Sequence, residues 1–536
     1  MKRSVATVAL LVVILGGTLL PAVGPATAAP AGTPSHPPDP PTDRIGWEGG
    51  YWHNESIALN QSDGLNDSEA RAYVSRAMAR VEFIRDREFT SRVPVETMTR
   101  GEWRRRLEND SAPTTPESAA HAAWNDQVWE ALWIVGESGD TTQQMTDTYG
   151  GGVDGFYSPR ERAIVIVHGD ATSPHIAEPV LVHELTHALQ DQYHDLETVT
   201  TQPTQDRQLS VRGLTEGEAK YVERSYRARC GDAWSCVPTA GVDVRAQTGG
   251  RNVGILLTVY QPYSDGPVWI ADRLDRGGWD AVDAAWADPP ASTEQVIHLT
   301  EEPPENVSVP DAARNGWTDF PDQGVNGTDS VGEASIFVMF WYQSAYHGAD
   351  AVDPSGLQQT ESPYDSYDYE SEPSAGWAGD AVRPYHKETA NGTAYGYVWK
   401  TRWDTERDAR EFRDAYVAVL DAHDARTVNA STYVVPGGDW ADAFRVVREG
   451  RTVTVVNGPQ VAALDDVDPA LARTTTATTT SAATTTSAAG AATTTSPADA
   501  TSTTTAGPQT ATGGQGGFGV AAALLALLAA LGWWSR

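Results

Sequence analysis

A chain of 536 residues that is 40% hydrophobic and contains 18 tryptophans carries enough apolar surface for roughly two or three domains, which excludes disorder for its middle. A formal net charge of −33 with no basic patch excludes nucleic acid and anionic lipid as partners. Lys2, Lys220, Lys387 and Lys400 are the only lysines among 39 basic residues, and so acidic a surface suits molar salt, where a Debye length of about 3 Å screens self-repulsion.

Residues 1–29 begin Lys2-Arg3, run apolar from Val5 to Leu20 and close on Ala26-Thr27-Ala28, the small-x-small pattern of a signal-peptidase site, so the protein is expected to be exported. Residues 30–43 form a Pro-rich, semi-rigid linker. The body, 44–375, starts near Arg44. Asn66-Asp-Ser-Glu69 predicts a helix start with Ala70, Tyr73, Ala77, Val81 and Ile84 on one face; Thr115-Pro-Glu opens a second helix through Leu132 with Trp124, Val128 and Leu132 inward. From Gly150, glycine-rich sequence gives way to two short apolar runs around Ser158-Pro159-Arg160, the pattern of a hairpin. Ala163–Val167 is the candidate edge strand to which an extended peptide would add by backbone pairing; an ordinary sheet strand is the alternative.

The stretch Val180–Gln192 contains His183-Glu184-Leu-Thr-His187. On a helix the two histidines lie one turn apart, so their imidazoles leave the same face about 5–6 Å apart and can share one metal ion. Glu184 is rotated off that line, placed to hold a water and take its proton rather than to bind the ion. Leu181, Val182, Leu185 and Leu189 supply the apolar stripe that a buried active-site helix needs; the alternative is an amphipathic helix with two satisfied core histidines. The longer H-E-x-x-H-x-x-G-x-x-H pattern is excluded, because Gln190 and Tyr193 stand where glycine and histidine are required. The following helix, Gly213–Tyr226, brings Glu216 and Glu218 near its start. Glu216 is the expected third ligand, with Gly217 letting the backbone approach the first helix, while Glu218 pairs with Thr215 as a capping box. His194 lies too far along to share the metal and is read as a surface residue or one that supports the ligands.

The block His-Glu-Leu-Thr-His-Ala-Leu-Gln-Asp-Gln, 183–192, followed by Leu-Thr-Glu-Gly-Glu-Ala, 214–219, resembles the gluzincin zinc peptidases, thermolysin-like in their two ligand helices. It resembles more closely a set of exported proteins with the same two blocks. The resemblance covers about residues 156–226. It implies Zn2+ on His183, His187 and Glu216, Glu184 as general base, a zincin-like lobe, and a peptide or protein substrate. Thermolysin-like helices usually carry an aspartate four residues after the ligand glutamate to orient the first histidine; Lys220 stands there, which leaves Asp191 or Glu218 as substitutes. Tyr157, Tyr385 and His386 are the candidates for an additional oxyanion donor.

Cys230 and Cys236 close a short loop in a chain expected to be exported, which favours a disulfide over a metal site, C-x5-C being an unusual zinc spacing. Val253–Ala271 mixes apolar and turn residues and assigns no element. Ser330–Tyr342 is read as a buried helix capped by Ser330 and Glu333, and 353–374 as an acidic loop rich in Tyr and Ser. Gly376-Trp-Ala-Gly-Asp380 leads to a strand from Tyr395 to Trp403, a helix with Ala409, Phe412, Tyr416 and Val419 inward, and a hairpin across Glu449-Gly450. Together these make a small α+β subdomain over 376–468. The G-W-x-G-D block and the downstream W-x-T-x-W, 399–403, recur in the exported set.

Residues 469–516 are a Thr/Ala/Ser-rich stalk with hydroxyls to glycosylate, and eight Asn-x-Ser/Thr tripeptides, from Asn54 to Asn429, fit a secreted glycoprotein. Within 517–536, Phe518–Trp534 is 17 apolar or glycine residues followed by Arg536, the lower limit for a membrane-spanning helix. This tail resembles the sorting signal of archaeal surface proteins, with Gly516-Gly517-Phe518 where Pro-Gly-Phe is usual. The resemblance implies processing by signal peptidase and archaeosortase, with a retained helix as the alternative, for a cell-surface protein of a halophilic archaeon held to the cytoplasmic membrane by its C-terminus. The expectation is therefore an α+β chain, with a zincin-like lobe, a mainly helical continuation and a C-terminal subdomain, acting as a surface-anchored zinc metallopeptidase. The alternative is a non-catalytic surface protein in which that fold is a binding or structural module.

Overall fold

The computed structural model describes residues 38–150, 153–168, 175–237 and 252–471. The expected signal peptide, most of the Pro-rich linker, nearly all of the stalk and the C-terminal helix lie outside the described residues. Among the described residues no helix is long and apolar enough to cross a membrane. With 46% helix and 18% strand the architecture is α+β.

A small hairpin, β1 (Trp47–Glu48) and β2 (Tyr51–Trp52), precedes α1 (Asp67–Arg85). Asn66 caps α1: its side chain accepts from the Ser68 and Glu69 amides, and Glu69 reaches back to the Asn66 amide, satisfying donors the helix cannot. β3 (Val95–Thr99) runs into α2 (Arg100–Ser111), and α3 (Pro116–Ala131) starts after Thr115 and buries Trp124 and Val128, with Leu132 just past its end. After α4 (Thr141–Gly150), β4 (Gly155–Ser158) and β5 (Ala163–His168) form the expected hairpin.

β5 is the middle strand of the sheet β3-β5-β4, parallel to β3 and antiparallel to β4, so Ala163–Val167 is not the edge strand. Ala163–Val167 is a continuous apolar run buried at every position, as a strand covered on both faces allows.

α5 (Glu178–His194) and α7 (Gln205–Arg229) pack together across the short α6 (Leu196–Val199). β4 is the outer strand on the side of α5 among the described residues. α7 begins at Gln205 rather than Gly213, capped by Thr204, so Glu216 and Glu218 lie in mid-helix. Thr215 is therefore no cap; its hydroxyl donates to the Arg212 carbonyl of the preceding turn. The stretch Val253–Ala271 belongs to α8 (Val253–Ala285), a helix that holds Pro262 and Pro267 and breaks at Gly277-Gly278. Prolines obscure the helical signal, and packing on α7 overrides them. A Cβ on Gly217 would lie 2.5 Å from the Gly266 carbonyl oxygen; Gly217 admits α8, not α5.

α9 (Thr293–Ile297) and β6 (Thr318–Asp319) lead to α10 (Gly332–Tyr342), buried from Gly332 to Trp341. Its expected caps do other work. Asp380 accepts from the Val331 and Gly332 amides and the Ser330 hydroxyl, while Glu333 pairs with His298 at 2.9 Å. A buried carboxylate from a neighbouring strand meets several orphan amides at once, which a single serine hydroxyl cannot.

β7 (Trp377–Thr389), β8 (Gly392–Trp403), α11 (Glu406–Ala422), β9 (Arg426–Asn429), β10 (Thr432–Val434), β11 (Ala443–Glu449), β12 (Thr452–Gly458) and α12 (Val461–Val467) follow among the described residues. The strands join β6 in an antiparallel sheet of order β6-β7-β8-β12-β11-β10-β9. The hairpin across Gly450 pairs Glu449 with Thr452, and α11 buries Ala409, Phe412, Tyr416 and Val419 as its periodicity predicts. One apolar core runs from Trp133 through Val165, Ile255 and Phe337 to Trp399 and Val455; a second gathers the faces of α1, α5 and α7.

Candidate metal centre

Leu181, Val182, Leu185 and Leu189 of α5 are buried in the same core as Tyr73, Ala77 and Val81 of α1. That packing fixes the rotation of α5 and turns its histidines toward α7. His183 is 0%, His187 3% and Glu216 2% exposed. The two Nε2 atoms stand 3.1 Å apart, and Glu216 Oε2 lies 3.3 Å from His183 Nε2 and 3.2 Å from His187 Nε2. Ligands held tetrahedrally about 2.0–2.1 Å from a zinc ion are spaced roughly 3.3 Å apart. The three atoms match that spacing, and among the described residues theirs is the one group of three or more His, Cys, Asp or Glu side chains close enough together to share a metal.

The far side of His187 sets its tautomer, while that of His183 faces a carboxylate beyond hydrogen-bond distance. Gln190 Nε2 donates to the Thr215 carbonyl at 3.0 Å, so its Oε1 accepts from His187 Nδ1–H at 2.8 Å. His187 Nε2 is left with its lone pair facing the centre. His183 Nδ1 faces Glu223 Oε2 at 3.8 Å, and Lys220 Nζ holds that oxygen at 2.7 Å. Glu223 follows Glu216 by two turns of α7 and leaves from the same face.

Neither expected substitute takes this task. Asp191 accepts from the Tyr157 hydroxyl at 2.8 Å and the Leu196 amide at 2.9 Å. Glu218 pairs with Arg85 and accepts from Trp286 Nε1 at 3.0 Å, because two residues past Glu216 is roughly 200° around the helix. Lys220 is the counter-ion of Glu223 rather than a gap in the site. His194 stacks on Trp286 at 4.2 Å and supports no ligand.

Glu184 is fully buried, and its Oε2 accepts from the backbone amide of Tyr157, in β4, at 2.7 Å. Its Oε1 has no partner among the described residues. Burial lifts the Glu184 carboxyl to about 8, against the pull of His187. Burial would also raise Glu216, but His187 and His183 facing it hold it at about 2.

Of the three oxyanion candidates, Tyr157 sits beside Glu184 with its hydroxyl engaged by Asp191. Tyr385 and His386 lie on β7 opposite β6, with Tyr385 in a separate apolar cluster, and are not brought to the centre. Tyr263 of α8 is, its ring stacked on His183 at 6.2 Å. Cys230 and Cys236 form the expected disulfide just after α7. The G-W-x-G-D and W-x-T-x-W blocks tie the fold together: Trp377 and Trp399 donate to Asp380 at 3.2 and 3.0 Å, and Trp403 to Thr401 at 2.8 Å.

Residues 321–468 match the model of a family described as a domain of unknown function (DUF8575); the match covers α10 and the large sheet from β7 onward and excludes His183, His187 and Glu216. No curated protein and no solved structure matches the chain.

Proposed function

We propose that the protein is a zinc-dependent metallopeptidase whose α5–α7 pair forms a zincin-like core. The observation that carries this reading is the convergence of His183 Nε2, His187 Nε2 and Glu216 Oε2 within 3.1–3.3 Å beside the unpartnered Glu184 Oε1. Zn2+ bound by these three residues would polarise a scissile carbonyl and acidify water. The remaining work belongs to the chain itself. Glu184, anchored through Oε2 by the Tyr157 amide, has Oε1 available to take a proton from the attacking water and pass it to the leaving amine. Gln190 holds the His187 imidazole with Nε2 toward the centre, and the Glu223 carboxylate faces the far side of His183 at 3.8 Å. β4, the outer strand of its sheet among the described residues, is the edge to which an extended peptide would pair, through groups other than the Tyr157 amide that Glu184 holds.

The same proposal sets this activity outside the cell. A disulfide suits an oxidising compartment, and the leader, stalk and sorting-signal patterns of the sequence suit export and attachment to an archaeal membrane surface.

A second reading, a binding or structural module with zinc as a staple, draws on the burial of the centre, where no ligand is more than 3% exposed. The deciding experiment is zinc content of the full chain in molar KCl beside His183→Ala/His187→Ala, followed by a peptide-library digest with Glu184→Gln as control. One zinc per chain, absent from the double variant, with cleavage abolished in Glu184→Gln, is expected. One zinc with no cleavage of any peptide supports the staple; no zinc in the folded wild type ends both readings.

A further inference from the structure

The C-terminal end of α3 packs against residues 439–444. Trp133 stacks on Phe444 at 5.1 Å and lies 5.6 Å from Trp440, and the Glu137 amide donates to the Asp439 carbonyl at 2.8 Å. Two carboxylates are enclosed in this packing, Glu130 at 2% and Asp442 at 4% exposure. What they accept from are neutral amides rather than cations. Gln127 Nε2 donates to Glu130 Oε2 at 2.8 Å, and Asn457 Nδ2 to Asp442 Oδ2 at 2.9 Å.

With both carboxyls ionised, as a bound cation would keep them, those two bonds fix which way each amide points, since turning either round would set oxygen against carboxylate oxygen. Three oxygens are then left without a partner among the described residues: Asp442 Oδ1, Gln127 Oε1 and Asn457 Oδ1. Gln127 and Asn457 are themselves 2% and 0% exposed. Unmatched acceptors in the interior are costly, and here they accompany two carboxylates that no side-chain cation among the described residues neutralises. Burial raises Glu130 well above the usual carboxylate range, and Asp442 is the foremost charge adding to that rise.

We propose that Glu130, Asp442, Gln127 and Asn457 form a second metal site, for a hard divalent cation of the calcium class. The donor set is oxygen alone, which disfavours zinc, and its two carboxylates match a double positive charge. Gln127 and Glu130 come from α3 in the helical body; Asp442 and Asn457 come from the edge of β11 and from β12 in the matched domain. The ion clamps one to the other, and it shares no residue with the His183 centre.

The test uses the full chain in molar KCl, stripped with chelator, reloaded with zinc and titrated with Ca2+, with Tb3+ as a luminescent stand-in excited through tryptophan. Expected are one Ca2+ per chain above the background of Glu130→Gln/Asp442→Asn, a saturable rise in Tm, and tryptophan-sensitised Tb3+ emission displaced by Ca2+. The double variant loses all three and keeps its zinc, whereas His183→Ala/His187→Ala keeps all three. Should the double variant not fold, Asp442→Asn alone is expected to weaken Ca2+ binding at least tenfold. A wild type that takes up no Ca2+, a Ca2+ response unchanged in the variants, or a response to Na+ with none to Ca2+ overturns the assignment.

Discussion

Two pairs among the buried carboxylates, Glu216 with Glu223 and Glu130 with Asp442, differ in what faces them. Glu216 and Glu223 on α7 face His183, His187 and Lys220, all groups that can carry positive charge. Glu130 and Asp442 face Gln127 and Asn457, which cannot. Burial acts on both pairs in the same direction, yet Glu216 is held at about 2 while Asp442 is lifted to about 7. What a buried acid does is decided by the charge that faces it more than by its depth. The first pair already faces groups able to balance its charge; among the described residues the second does not.

The largest effect that tests this contrast is on turnover. Glu184→Gln keeps the size and the Tyr157 contact of the base but removes its proton affinity, so peptide cleavage is expected to fall about 10²- to 10⁴-fold with zinc content unchanged, read by progress curves and metal analysis. Next is Lys220→Met, which removes the nearer cation from buried Glu223 and leaves it only the half-exposed Arg227 at 3.4 Å. Breaking a buried pair from one side costs about 3–5 kcal/mol; a denaturant titration showing less than about 1 kcal/mol would mean that Glu223 is not a compensated charge.

Smaller is Glu223→Gln, which keeps a hydrogen-bond acceptor near His183 Nδ1 but drops its charge. Zinc affinity is expected to fall about 10- to 100-fold with the fold retained, measured by competition with a chromophoric chelator. The mildest is a pH effect at the α10 cap, where burial lifts Asp206 to about 7 and Asp329 to about 8. Folded values above the ordinary aspartate range mean stability that is full below about pH 4 and lost as pH climbs through 7 and 8. Tm in fixed molar KCl is therefore expected to be lower at pH 8.5 than at pH 5.5; a rise would break the parallel with Asp442.

The centre was legible where local geometry decides. Two histidines one turn apart share a face on any helix, and the Leu181 to Leu189 stripe fixed which way that face turns. Glu216 was found from its place on the next helix, but its supports were not. Choosing between Glu218 and Glu223 needs the phase of α7, and its true start at Gln205 lay outside the apparent capping box at Thr215. The Lys220–Glu223 spacing was the available clue, an i,i+3 pair of opposite charge. Tyr263 was hidden by Pro262 and Pro267, which read as turn residues in a sequence and are tolerated in α8 because α7 covers it. Ala163–Val167 was legible as a strand but not as an interior one, since its neighbour β3 lies some sixty residues earlier. Asp380 shows the same limit: a cap supplied from a distant strand leaves no local signature in α10.

The crossing of α7 and α8 at Gly217 and Gly266 has a mechanical meaning for the centre. With no side chain between the two backbones, and Gly266 equally close to the Gly213 carbonyl, the gap between the helices is set by peptide atoms that neither bend nor repack. Glu216 is the immediate neighbour of one glycine, and Tyr263 precedes the other by less than a turn. The crossing is thus a fulcrum with no play, and it passes backbone rigidity directly to a carboxylate whose placement has to hold within tenths of an ångström.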